Sequence, residues 1–66
     1  MDIFVNGELS QVAADLTLAG LVAGMQLHGQ RLAIELNGDI VPRSQWDVTA
    51  LRAGDRAEIV RAIGGG

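Results

Sequence analysis

Asn6-Gly7 constrains this chain more than any other dipeptide in it. Both residues tolerate positive φ, and a two-residue type I′ hairpin turn requires that at both of its central positions. The runs on either side suit a hairpin. Asp2-Ile3-Phe4-Val5 reads as the outgoing strand. Glu8-Leu9-Ser10-Gln11-Val12 reads as the return strand, with a looser alternation of apolar and polar residues.

A helix follows. Thr17 is a good N-cap, because its hydroxyl can accept a bond from a free amide of the first turn. Asp15 adds negative charge near the positive helix end. Leu18, Leu21, Val22 and Met25 recur at helical spacing and form one apolar stripe. Gly20 and Gly24 each cost about 1 kcal/mol against Ala inside a helix. Close packing of the helix on a sheet is the expected compensation. His28-Gly29 is expected to end the helix, with Gly29 in the left-handed C′ position.

Leu32-Ala33-Ile34-Glu35-Leu36 is a clear strand, turned by Asn37-Gly38 or Gly38-Asp39. Ile40-Val41 extends briefly. Pro42 has no amide to donate, so a central strand after it is not expected, and Arg43-Ser44-Gln45-Trp46 reads as a turn or a short helical turn. Leu51 to Asp55 is a turn, and residues 56–63 form the last strand. A parallel partner for the first strand needs a long crossover, and the chain between is ample. The expected fold is α+β, a ubiquitin-like β-grasp: a mixed sheet of four to five strands, with one helix packed on one face and the final strand central beside the first. Residues 1–63 would form the domain and 64–66 a glycine tail.

The 66 residues make one domain. A domain this small buries only roughly 60% of the surface exposed in its unfolded chain. With no cysteine, disulfides, zinc-thiolate sites and cysteine nucleophiles are excluded. Stability must come from an apolar core that is mostly aliphatic, since Phe4 and Trp46 are the two aromatic residues. The net charge is −3, and the five cationic side chains are all Arg, spread along the chain. That balance argues against nucleic acid and suits a protein partner with a basic or mixed surface. No leader pattern or long apolar stretch is visible, so a cytoplasmic protein without a membrane segment is expected. One His, no P-loop and no convincingly spaced carboxylate pair leave no catalytic apparatus in view.

Gly64-Gly65-Gly66 follows directly on the last strand. Glycine has the most conformational freedom to lose, so such a tail does not stabilise the fold. Three extended residues reach about 10 Å, which suits a carboxylate that must enter a narrow site on another protein. A frayed end or a glycine linker is the plain alternative.

Along its whole length the chain resembles ThiS-type sulfur carrier proteins. The resemblance rests on the Asn6-Gly7 hairpin, the stretch from Leu36-Asn37-Gly38 to Val41-Pro42-Arg43, Ser44-Gln45-Trp46, the Gly54-Asp55 turn, and Ile59 through Gly66. Gly65 and Gly66 match the family's terminal pair; Gly64 is an additional glycine. The resemblance implies that an E1-like adenylating enzyme (ThiF type) activates the Gly66 carboxylate with ATP and Mg²⁺. A sulfur donor protein then converts it to a thiocarboxylate, a covalent 1-thioglycine, and a thiazole synthase (ThiG type) takes the sulfur for the thiazole ring of thiamin. It also implies that this chain is a co-substrate rather than an enzyme and binds no cofactor or metal of its own. A molybdopterin synthase small-subunit-like carrier, a ubiquitin-like modifier and an interaction domain with an inert tail are the alternatives.

Strand parity predicts where partners dock, since successive side chains point to opposite faces. Ile3, Val5, Ile34, Leu36, Ala57 and Ile59 should lie under the helix, with Glu35 and Glu58 in solvent. Phe4, Val60 and Ala62 should then form an exposed apolar patch on the open face near the tail, a candidate protein contact. Arg61 is close enough to the tail to help steer it. Trp46 is expected to cover one end of the core, with Pro42 fixing its loop. His28 suits a solvated position near a helix end. Arg43, Arg52 and Arg56 suit the surface, and Asp55 suits a turn.

Overall fold

The computed structural model describes residues 1–27 and 30–61. Strands β1 (Asp2–Val5) and β2 (Glu8–Gln11) form the first hairpin, and helix α1 (Leu18–Gly24) follows. Strands β3 (Leu32–Leu36) and β4 (Asp39–Val41) form a second hairpin. A 3-10 helix (Arg43–Val48) leads to β5 (Arg56–Arg61). The sheet order is β2-β1-β5-β3-β4, with β1 and β5 parallel and the other pairs antiparallel. One helix on a five-stranded mixed sheet with the last strand central is the ubiquitin-like β-grasp.

Both Asn-Gly turns adopt the conformation that their residues favour. Asn6 and Gly7 have φ of 50° and 83°, and Asn37 and Gly38 have φ of 52° and 91°. These pairs of positive values define type I′ turns. Thr17 caps α1 by accepting a hydrogen bond from the Gly20 amide at 3.1 Å. The chain is also tied at this point to the segment entering β5, by Leu18 N–H to Thr49 O and Leu51 N–H to Leu16 O.

The helix ends earlier than the sequence suggested. Gln26, at φ 60°, takes the left-handed C′ position expected of Gly29. Gln26 N–H bonds Ala23 O, and Leu27 N–H bonds Val22 O. This is the paired closure of a Schellman motif. It leaves Met25 exposed at the end of the stripe, while Leu18, Leu21 and Val22 are buried. His28 and Gly29 lie outside the described residues.

The core matches the parity expected of the strands. Ile3, Val5, Ile34, Ala57 and Ile59 from the sheet are buried with Leu18, Leu21 and Val22 of α1, and Leu36 packs half-buried at the edge. Trp46 closes one end of this core; its indole N–H donates to Val41 O at 2.9 Å. The 3-10 helix places Trp46 there, entered through Pro42 at φ −60°. Arg43 lies over the exposed side of the indole, 5.1 Å from its centroid, so it is not merely a solvated surface residue.

Close packing of the helix glycines on the sheet does not occur. A Cβ on Gly20 would meet Leu16 Cδ1 at 2.7 Å, and a Cβ on Gly24 would meet nothing within 4 Å. Leu16, rather than a strand, lies against Gly20.

Candidate functional site

The face of the sheet away from α1 is open. On the central strand, Arg56, Glu58 and Val60 alternate with buried Ala57 and Ile59, and all three are exposed. Their cross-strand partners follow from the register. Phe4 stands opposite Leu9 on one side and Arg56 on the other. Val60 pairs with Ala33, and Glu58 pairs with Glu35, which pairs in turn with Ile40.

The register divides the apolar patch predicted from sequence. Val60 is four residues beyond Arg56, the partner of Phe4, roughly 13 Å at strand rise. Glu58 stands between them. Phe4 is also only partly exposed, because the Arg56 guanidinium lies over its ring, 5.2 Å from the centroid. Arg56 is therefore a lid on Phe4 rather than a free solubilising charge. Val60 is 56% exposed, as parity required. Arg61 is exposed at the end of β5. Ala62, Gly64, Gly65 and Gly66 lie outside the described residues.

Sequence reasoning missed two members of this face. Leu9 is 60% exposed and Ile40 is 68% exposed. The signal was present in the two Asn-Gly turns. They set the registers that place Leu9 beside Phe4 and Ile40 beside Glu35. The face thus carries one apolar group around Leu9 and Phe4, a second around Ala33 and Val60, and an acidic pair, Glu35 and Glu58, between strands β3 and β5. Like charges directly opposite in a sheet are unfavourable, so this pair suits a cationic partner group.

Strand β5 is held by side chains as well as by the sheet ladder. β1 ends at Val5, and there Asn6 Oδ1 accepts from Ile59 N–H at 2.7 Å. On the other side of β5, Asn37 Oδ1 accepts from Arg56 N–H at 3.0 Å, while its Nδ2 donates to Asp55 Oδ1. Asp55 Oδ2 accepts from Arg52 N–H, so Asp55 closes the turn before β5 as expected. The strand that leads to the glycines is anchored from both neighbouring hairpins.

Among the described residues, no group of three or more His, Cys, Asp or Glu is placed to hold a metal ion. No helix among them is long and apolar enough to cross a membrane.

The model of the ThiS family matches residues 3–66. Sulfur carrier protein ThiS of Escherichia coli is 32% identical over 66 residues, and the match covers all of both chains. A thiazole synthase of Paramagnetospirillum magneticum is 36% identical over 66 residues. The chain spans 20% of the length of that protein, and 20% of a second thiazole synthase, from Magnetococcus marinus. The crystal structure of a thiamine biosynthesis protein (ThiS) from Geobacter metallireducens matches with a TM-score of 0.87 and 32% identity, covering all of both chains.

Proposed function

This chain belongs to the ThiS family, and from that premise we propose that it is a sulfur carrier of thiamine biosynthesis whose sulfur is carried as a thiocarboxylate on Gly66. The observation that carries the proposal is the full-length match to Escherichia coli ThiS, which aligns Gly66 with the end of that carrier.

A carboxylate is a poor electrophile. In the proposed sequence its oxygen attacks the α-phosphorus of ATP on an adenylating partner, and pyrophosphate leaves. The resulting acyl-adenylate has AMP as a leaving group. The terminal sulfur of a donor persulfide attacks the acyl carbon, forming a C–S bond and expelling AMP. A second thiol then attacks the donor's own sulfur, breaking the persulfide S–S bond, forming a disulfide with the donor and releasing the thiocarboxylate. Glycines at 65 and 66 keep the approach to the acyl carbon free of any Cβ. ATP and Mg²⁺ are assigned to the partner, where cationic groups would offset the phosphate charge.

The open sheet face is the proposed docking surface, with Phe4, Val60, Ala62 and Arg61 joined by Leu9 and Ile40. Its mix of apolar groups and the Glu35–Glu58 pair calls for a partner that presents apolar and basic side chains. The two thiazole synthases that contain a segment similar to this chain support such an enzyme as the sulfur acceptor.

The test is intact-mass measurement after co-expression with an adenylating enzyme and a sulfur source. A mass gain equal to one oxygen-to-sulfur exchange, located on Gly66 by fragmentation, is expected. The same gain in a chain lacking Gly65 and Gly66 would overturn the assignment.

A further inference from the structure

On the opposite side of the sheet, a groove of about 600 Å³ runs between β2 and α1. Glu8, Ser10 and Val12 of the β2 segment form one wall. Leu16, Gly20, Gly24 and Met25 form the other. The proposed docking face makes no use of it.

Three observations define what the groove accepts. First, β2 is an edge strand. Met1 and Val12 exchange both main-chain hydrogen bonds. By antiparallel alternation, the main-chain groups of Ser10 and Glu8 also face β1. Those of Leu9 and Gln11 therefore point away from the sheet, and an extended chain can pair with them. Secondly, the helix wall is built low. Gly24 has open space where a Cβ would be, and Gly20 has the Leu16 side chain laid against it. Met25, 39% exposed, closes one end with a flexible apolar side chain. Thirdly, the charge in and next to the groove is acidic. Glu8 lines it near the hairpin, and exposed Asp15, not itself a lining residue, directly precedes lining Leu16 in the chain. No Arg lines it.

We propose that this groove binds an extended segment of a protein partner, added to β2 as a sixth strand, with two aliphatic side chains on alternate residues and a basic residue at each end. The aliphatic pair would lie beside Ser10 and Val12, over Leu16 and Gly24. The basic residues would face Glu8 and Asp15. A second copy of this chain is a poor occupant. Its own β2 would bring Glu8 and Ser10 into the groove, placing acid against acid, and each copy carries a net charge of −3.

The test is titration of the ¹⁵N-labelled full chain with the peptide acetyl-Lys-Thr-Val-Thr-Leu-Thr-Lys-amide. Saturable shifts and slowed hydrogen exchange are expected at the Leu9 and Gln11 amides. Gly24→Leu, which fills the open space, should weaken binding at least about tenfold and leave the thermal midpoint no lower. Methylating the Thr amides or, separately, the Val and Leu amides should abolish binding in one case only, because one set faces β2. Absence of shifts up to about 1 mM peptide, undiminished binding by Gly24→Leu, or shifts confined to the open face would overturn the proposal. So would Leu9 and Gln11 shifts that follow protein concentration without peptide, which would identify a second copy as the occupant. The readout is binding alone, so it stands or falls separately from the chemistry at Gly66.

Discussion

The side-chain oxygen of Asn6 accepts a 2.7 Å hydrogen bond from the amide of Ile59, fifty-three residues away. The same residue holds φ at 50° in the first turn. One side chain thus forms the hairpin and secures the strand that carries the tail. Asn6→Gly retains the turn geometry and removes the acceptor. It should cost about 1–3 kcal/mol by leaving a partly buried amide unpaired. Asn37→Gly removes an exposed pair of bonds and should cost less. Urea denaturation of the two variants checks the order.

Trp46 carries a second asymmetry of scale. It is 4% exposed and donates to Val41 O. Trp46→Phe should cost about 1 kcal/mol from the lost bond, plus a packing loss. Trp46→Ala should cost about 3–5 kcal/mol, comparable with the whole stability of a domain this small. The expected outcome is a folded Phe variant and an unfolded Ala variant by circular dichroism.

Glu58 faces Glu35 directly across the β3–β5 ladder. Glu58→Gln should raise stability by about 0.2–1 kcal/mol, with the gain shrinking as salt screens the repulsion. The same substitution should slow association with a basic partner. Thermal melts at low and high ionic strength, together with stopped-flow mixing with the adenylating enzyme, separate the two effects.

Helix α1 offers three substitutions with distinct expectations. Gly24→Ala places a methyl in open space and should stabilise by up to about 1 kcal/mol. Gly20→Ala drives a methyl to 2.7 Å from Leu16 Cδ1, so the propensity gain should be offset by displacement of Leu16. Gln26→Gly relieves a left-handed residue and should stabilise by about 1 kcal/mol. Chemical denaturation of the three variants ranks them.

Val60 tests the open face better than Phe4 does. Its side chain is exposed, whereas Phe4 lies under Arg56. Val60→Asp should reduce adenylation of the carrier at least about tenfold while shifting the thermal midpoint little. Phe4→Ala should also lose stability, because the stacked Arg56 contact goes with it. Adenylation assays paired with melts distinguish docking from folding.

Short-range chemistry made most of this architecture legible in the residues themselves. Two Asn-Gly turns, the Thr17 cap, Pro42 and period-two alternation are local signals. They identified four to five strands, the helix start and the buried side of the first, third and last strands. The glycine tail with the Val41-Pro42-Arg43 to Trp46 run carried the functional resemblance. Only tertiary structure decided what depends on register between distant strands. It set Phe4 beside Arg56, separated it from Val60 by Glu58, and faced Glu58 with Glu35. It also ended α1 at Gln26 rather than Gly29, because closure of the helix there folds Leu27 back onto Val22. The helix glycines show the limit most clearly. Their cost is a property of the residue, but the groove that they open exists only once β2 lies alongside.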